Sequence, residues 1–165
     1  MKKIQLSTLI LGALMVALSG CGDSTASAVP KVSSTYQKKL DAAWDTASQG
    51  KSPTISCASV VGTAVGMASS GQGKKSEAIQ AYEACYVDAF VHYANVYIAQ
   101  PDKAALDKRN QPAGCGTLST HAMIHQVSLG GFASDLGLNT KALADKARAA
   151  LGQGAAACTS LFADD

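Results

Sequence analysis

The sequence predicts an all-α fold, a small disulfide-stapled bundle of about five to six helices built around an αα-hairpin over residues 53–100. Three observations predict it. Ile79, Tyr82, Tyr86, Phe90, Tyr93 and Tyr97 follow at spacings of three and four, which lines one helical face. No stretch alternates apolar and polar residues over a useful length, and the β-branched residues fall inside helical windows. Two cysteines, Cys57 and Cys85, stand at matching heights on the two arms of the hairpin.

The hairpin follows from local chemistry. Ser52 supplies a capping hydroxyl, and Pro53 has a preset φ and no N–H to leave unsatisfied. Ile55, Cys57, Val60, Val61, Ala64, Val65, Met67 and Ala68 then recur up to Ser69. Gly71, Gln72 and Gly73 are too flexible to continue the helix. Ser76 is placed to cap the second arm, with Glu77 in its first turn where the helix dipole favours an anion, and Pro101 ends it. Helices joined by so short a turn pack antiparallel. Both rise ~1.5 Å per residue, so residues at equal height have numbers summing to about 143. The numbers 57 and 85 sum to 142. The four cysteines beyond Cys21 allow three pairings; this register favours Cys57–Cys85 and leaves Cys115–Cys158.

The start of the chain identifies the compartment. Met1, Lys2 and Lys3 form a positive segment, Leu6 to Leu18 is an apolar run, and Leu18-Ser19-Gly20-Cys21 follows. This resembles the signal peptide and lipobox of bacterial lipoproteins. The resemblance covers residues 1–21 and implies cleavage after Gly20, with diacylglycerol on the Cys21 thiol and an acyl group on its amine. The apolar run is about 13 residues, too short for the ~20 that span a bilayer and right for a signal segment. The resemblance further implies anchoring to the membrane through Cys21. Gly22, in place of the Asp that favours inner-membrane retention, leans toward the outer membrane, with the domain in the periplasm or at the cell surface. An exported chain meets an oxidising milieu, so Cys57, Cys85, Cys115 and Cys158 read as disulfides rather than metal ligands or catalytic thiols.

Residues 1–20 are then a signal peptide, residues 21–33 a lipidated cysteine with a small, polar tether, and residues 34–165 one helical domain. The formal charge of +2 comes from Lys2 and Lys3; beyond residue 20 the Lys and Arg balance the 12 Asp and Glu. Nothing basic is left to track phosphates, which disfavours nucleic acid as a partner. The only arginines are Arg109 and Arg148, so no arginine cluster can clamp a phosphate.

Along the domain, Tyr36, Leu40, Ala43, Trp44 and Ala47 mark a first helix ended by Gly50, with Trp44 as a core anchor or a staple against the hairpin. Gly62 and Gly66, one turn apart, form a smooth stripe for intramolecular packing. Asp102 to Arg109 reads as a short polar helix, and Asn110 to Gly116 as a loop whose Cys115 is pinned by the second bridge. Thr117 is placed to cap a helix through Leu129, which Gly130-Gly131 should kink or end. Asn139 caps a helix from Thr140 to Leu151, with Leu138 and Leu143 as a hydrophobic staple. Residues 154–162 carry Cys158 in a short terminal helix.

The chemistry-bearing candidates are sparse. His121 and His125 stand four apart, so both rings leave one helical face, as a pair of metal ligands would. They fall beside Leu118, Ala122 and Leu129, which favours partly buried, hydrogen-bonded histidines. Asp88 and His92 repeat the spacing on what the helical wheel presents as a solvated face, beside Glu77 and Asn95. Ser48-Gln49-Gly50-Lys51 matches the S-x-x-K pattern without its companion motifs, and Gly66 to Ser76 fails the phosphate-loop pattern, lacking the Lys and the preceding strand. No catalytic set assembles, and no cofactor is implied. The expectation is a non-enzymatic, protein-binding envelope lipoprotein, an accessory subunit or an inhibitor or immunity-type protein. The alternatives are a metal- or small-ligand sensor using His121 and His125 and, last, a hydrolase.

Overall fold

A computed structural model describes residues 28–162. The expected signal segment, Cys21, the first part of the expected tether up to residue 27, and residues 163–165 of the expected domain lie outside the described residues. Helix α1 is Ser34–Ser48, started by the Ser33 hydroxyl accepting from the Thr35 N–H. Its i, i+4, i+7, i+8, i+11 face, Tyr36, Leu40, Ala43, Trp44 and Ala47, is buried. The first arm of the hairpin is α2, Thr54–Ser69. The second arm is a continuous rod in three parts: α3, Lys75–Glu83; a π-helical segment, Ala84–Ala89; and α4, Phe90–Ile98. A single turn, α5, Pro101–Ala104, precedes α6, Cys115–Leu136; α7 is Thr140–Ala150 and α8 is Gln153–Ala156. No strand occurs among the described residues, only an isolated bridge between Leu106 and Pro112. The fold is therefore the expected disulfide-stapled helical bundle.

The second arm of the hairpin is its axis. Helices α1, α2, α6 and α7 pack around the rod, and α8 closes on α4. Burial follows: Ala81, Tyr82, Cys85, Ala89, Phe90, Tyr93 and Ala94 are all wholly buried. Trp44 lies flat on His92 of α4, ring centroids 4.3 Å apart, so it staples α1 to the hairpin as its position suggests. The bridge Cys57–Cys85 closes α2 on the rod with Cα atoms 5.4 Å apart. Cys115–Cys158, at 5.1 Å, ties the start of α6 to the segment after α8.

Several local expectations give way to packing. Ser52 does not cap α2; Pro53 holds the N-cap position, and the Ser52 hydroxyl bonds Thr54 Oγ1 instead at 2.9 Å. Lys74 rather than Ser76 sits at the N-cap of α3, without a side-chain cap, so Ser76 lies inside the helix. Cys115 is the first residue of α6 rather than a loop residue, and Gly114, not Thr117, precedes it as N-cap. Residues 105–114 do not continue the helix after Ala104, because Asp107 Oδ1 accepts from the Arg109 and Gln111 N–H groups and folds the chain into a turn. Gly130 and Gly131 do not end α6, which runs on to Leu136. Leu129, Ala133 and Leu136 are buried and Phe132 packs on the core, so tertiary contact outweighs the ~1 kcal/mol per glycine that propensity opposes. The helix stops at Gly137, whose φ of +67° an L side chain rarely adopts.

The Asn139 cap on α7 is present, its Oδ1 accepting from the Ala142 N–H at 3.1 Å, with Leu143 buried and Leu138 against the core. The terminal helix is shorter than expected, one turn before Cys158. Of the glycine stripe, only Gly62 receives a neighbour. It is the Phe132 ring of α6, whose Cζ would lie 3.3 Å from an added Cβ, while Gly66 faces open space.

The bridge that closes the hairpin spans 28 residues, so chain entropy assigns it about 3.5 kcal/mol. Cys57→Ala/Cys85→Ala is expected to lower unfolding free energy by roughly that amount in denaturant titrations. Peptide mapping without reduction is expected to recover Cys57 linked to Cys85; a Cys57–Cys115 or Cys57–Cys158 peptide would contradict the fold.

Candidate functional site

The two histidines of α6 leave the same helical face and meet different partners. His125 is wholly buried, between Phe90 (centroids 4.5 Å) and Tyr86 (5.8 Å). Its Nε2 lies 3.2 Å from the Cys85 carbonyl, and its Nδ1 lies 3.0 Å from Thr54 Oγ1. A carbonyl only accepts, so the proton of the neutral ring is on Nε2, and Nδ1 accepts from the Thr54 hydroxyl. Thr54 in turn accepts from Ser52. A directed chain thus runs from Ser52 through Thr54 and His125 into the π segment. That segment carries the wider i→i+5 ladder and is a frequent feature of functional regions. Burial pushes the His125 imidazole down to about 4, against an opposing pull from the Cys85 and Tyr86 backbone. Both ring nitrogens are engaged, so His125 is a structural histidine and not a free ligand.

His121 is half-buried one turn earlier. Its Nδ1 bonds the hydroxyl of Tyr93, a wholly buried residue of α4. Burial, and after it the neighbouring Tyr97, raises the Tyr93 phenol further above its already basic range, so it keeps its proton. His121 also forms one wall of a groove of about 380 Å³ between α2 and α6, lined by Ser52, Thr54, Ile55, Ala58, Ile124 and Ser128. The volume lies near the low end of small-ligand sites, roughly 300–1,000 Å³.

The surface around this groove is unlike the rest of the molecule. Neither α2 with its flanks, residues 52–73, nor residues 115–134 of α6 contain a Lys, Arg, Asp or Glu. The two helices pack side by side, and Phe132 fills the space over Gly62 between them. Ile55 and Ile124, 88% and 47% exposed, stand at the groove, and α6 also exposes Val127 and Met123, at 76% and 59%. Contiguous exposed apolar side chains of this kind mark interaction surfaces, whereas single ones are ordinary.

The remaining candidates resolve into structural roles. The face of the rod expected to be solvated, from Asp88 in the π segment to Asn95 in α4, is half-covered. His92 stacks under Trp44, Asn95 Oδ1 accepts from the Gly152 N–H at 2.9 Å, and Asp88 is held above the usual carboxylate range, chiefly by burial. Burial lowers the His92 pKa as well. α1, α7 and α8 pack on this side of the rod, which a helical wheel cannot anticipate.

Ser48 Oγ is 2.9 Å from both the Trp44 carbonyl and His92 Nε2. With its proton on the carbonyl, Ser48 accepts from His92 N–H, the reverse of the polarity a nucleophile and its base require. Lys51 reaches Gln49, so the S-x-x-K spacing makes no serine–lysine pair. Among the described residues, no three His, Cys, Asp or Glu side chains group as metal ligands. His92 therefore does not join His121 and His125. The groove and its apolar rim escape the helical-wheel argument, which locates the histidines and stops there; the long charge-free runs were the available signal.

The buried His125 gives a signed pH dependence. Its folded pKa lies below the ordinary 6.5, so its contribution is complete above pH 6.5 and is lost as pH falls toward about 4. Unfolding free energy is expected to drop by roughly 3 kcal/mol across that window from this group. Denaturant titrations at several pH values are expected to show that slope flattened in His125→Gln, whatever the variant does to overall stability; an undiminished slope would contradict the assignment. Comparison with known proteins gives no further guide, since no family model, no curated protein and no solved structure matches this chain.

Proposed function

We propose that this chain is a lipid-anchored protein of the bacterial cell envelope that works without catalysis as a protein-binding module, an accessory subunit or an inhibitor or immunity-type protein. The observation that carries the proposal is the charge-free stretch of α2 and α6, with Ile55 and Ile124 exposed at a groove between them and Met123 and Val127 exposed further round α6. Protein interfaces are depleted of charge at their centres and ringed by polar surface. Ionic side chains enter only beyond this stretch: Asp135 stands in the last turn of α6, Lys39 of α1 reaches Ser59 and Thr63 of α2, and the Lys146–Glu83 pair joins α7 to α3. The face is also long enough: α6, with 22 residues, extends about 33 Å. Two disulfides and a buried aromatic rod preorganise it, which lowers the ordering cost of binding. The anchor rests on Leu18-Ser19-Gly20-Cys21 and on the tether after it. On this reading the domain is held at a membrane, with Gly22 leaning toward the outer membrane. No helix among the described residues is long and apolar enough to cross a bilayer.

A photoreactive side chain at Val127, introduced in the producing cell, is expected to give a discrete adduct with one envelope protein. Ile124→Lys is expected to abolish the adduct while changing stability by no more than about 0.5 kcal/mol, as for an ordinary surface site. The same probe at Lys38, on α1, is expected to give none. Equal adducts from both positions, or none from Val127, would contradict the proposal. Acyl labelling that persists in Cys21→Ser would contradict the anchor.

A further inference from the structure

The groove carries a directional hydrogen bond, and its polarity follows from the residue behind it. Tyr93 is wholly buried, and among the described residues its hydroxyl has His121 Nδ1 as its one hydrogen-bond partner. If Nδ1 carried the proton, the phenol hydrogen would be left inside the protein without an acceptor, a loss of about 1–3 kcal/mol. The phenol therefore donates and Nδ1 accepts. In the neutral imidazole the ring proton must then sit on Nε2. That N–H has no hydrogen-bond partner among the described residues, and His121 is a wall of the groove. The other walls are aliphatic, from Ile55, Ala58 and Ile124, with the small hydroxyls of Ser52, Thr54 and Ser128. No ionic side chain lines the groove, so nothing there compensates the charge of an ionic occupant.

From this we infer that the groove binds an extended, uncharged peptide segment of a partner protein: a branched aliphatic side chain sits between Ile55 and Ile124, and an adjoining backbone carbonyl accepts from His121 Nε2–H. The segment is extended because carbonyls within a helix are already bonded to the helix, apart from those of its last turn. The inference rests on the protein-binding reading above and supplies its chemistry. It assigns His121 as the specificity residue and Tyr93 as the residue that sets its tautomer.

The probe is N-acetyl-leucine N-methylamide, which carries an isobutyl group and two backbone carbonyls and has no charge. Titrated into the purified full chain as the cell delivers it, it is expected to shift the His121 Nε2 resonance and the Ile124 methyl resonances saturably. Removing one neutral hydrogen bond is expected to weaken binding about three- to tenfold in His121→Phe. Binding of 2-methylpentane, which lacks a carbonyl, is expected to be equal in the two proteins. Ile124→Lys, a surface change that does not threaten the fold, is expected to abolish binding of both compounds. The inference is overturned if the amide binds no better than the hydrocarbon, or if it binds His121→Phe as well as the parent. Crosslinking from Val127 separates the two levels. An envelope adduct without amide binding overturns the peptide chemistry and leaves the protein-binding reading. Amide binding without an adduct keeps the groove chemistry and removes the cellular partner.

Discussion

Cys85 is the junction on which the rest of the molecule depends. Its sulfur is bonded to Cys57 on α2, and its carbonyl accepts from His125 on α6. It sits in the π segment that interrupts the central rod. Three helices are thus fixed to one residue by a covalent bond, a buried hydrogen bond and the rod's own backbone. A buried polar contact of this kind stabilises only when every member is satisfied. Here each is, because Ser52, Thr54, His125 and the Cys85 carbonyl form a donor–acceptor chain with one consistent direction. The Ser52 hydroxyl given up as a helix cap is the start of that chain.

From the junction the surface follows. Fixing α2 and α6 to the same point of the rod sets them side by side, and both are free of ionic side chains along this stretch. The groove between them is therefore lined by uncharged residues of both helices, with Ile55 and Ile124 exposed at its edge. Tyr93, two turns along the rod from Cys85, carries the same logic to the groove. It holds His121 by one ring nitrogen, and the other has no hydrogen-bond partner among the described residues. Two histidines four residues apart thus do different work. One is locked in the core by two acceptor–donor contacts, and the other is half-open with one contact made.

The hairpin and its bridge were legible because they depend on a constant. Helical rise is the same on both arms, and the π segment begins at Ala84, so α-helical counting holds almost to Cys85. The Asn139 cap and the end of α1 at Gly50, with φ of +68°, were legible for a similar reason: each is a local chemical requirement. What could not be read depends on neighbours. Gly130-Gly131 looks like a break until Leu129, Ala133 and Leu136 are seen buried on either side. The π segment has no sequence signature. The face of Asp88, His92 and Asn95 looks solvated until Trp44 and Gly152 are placed over it. At the groove, the helical wheel brought His121 and His125 to one face correctly. It could not say that Thr54 and Tyr93, which are 71 and 28 residues away from them in the chain, would divide the pair.

The most direct test of the Cys85 junction is the nitrogen-15 spectrum of the His125 ring. The account predicts a single neutral tautomer with Nε2 protonated, Nδ1 in the acceptor range, and a slowly exchanging Nε2–H that shows scalar coupling across the hydrogen bond to the Cys85 carbonyl carbon. A ring that exchanges rapidly with water, carries its proton on Nδ1, or titrates near pH 6.5 would contradict it.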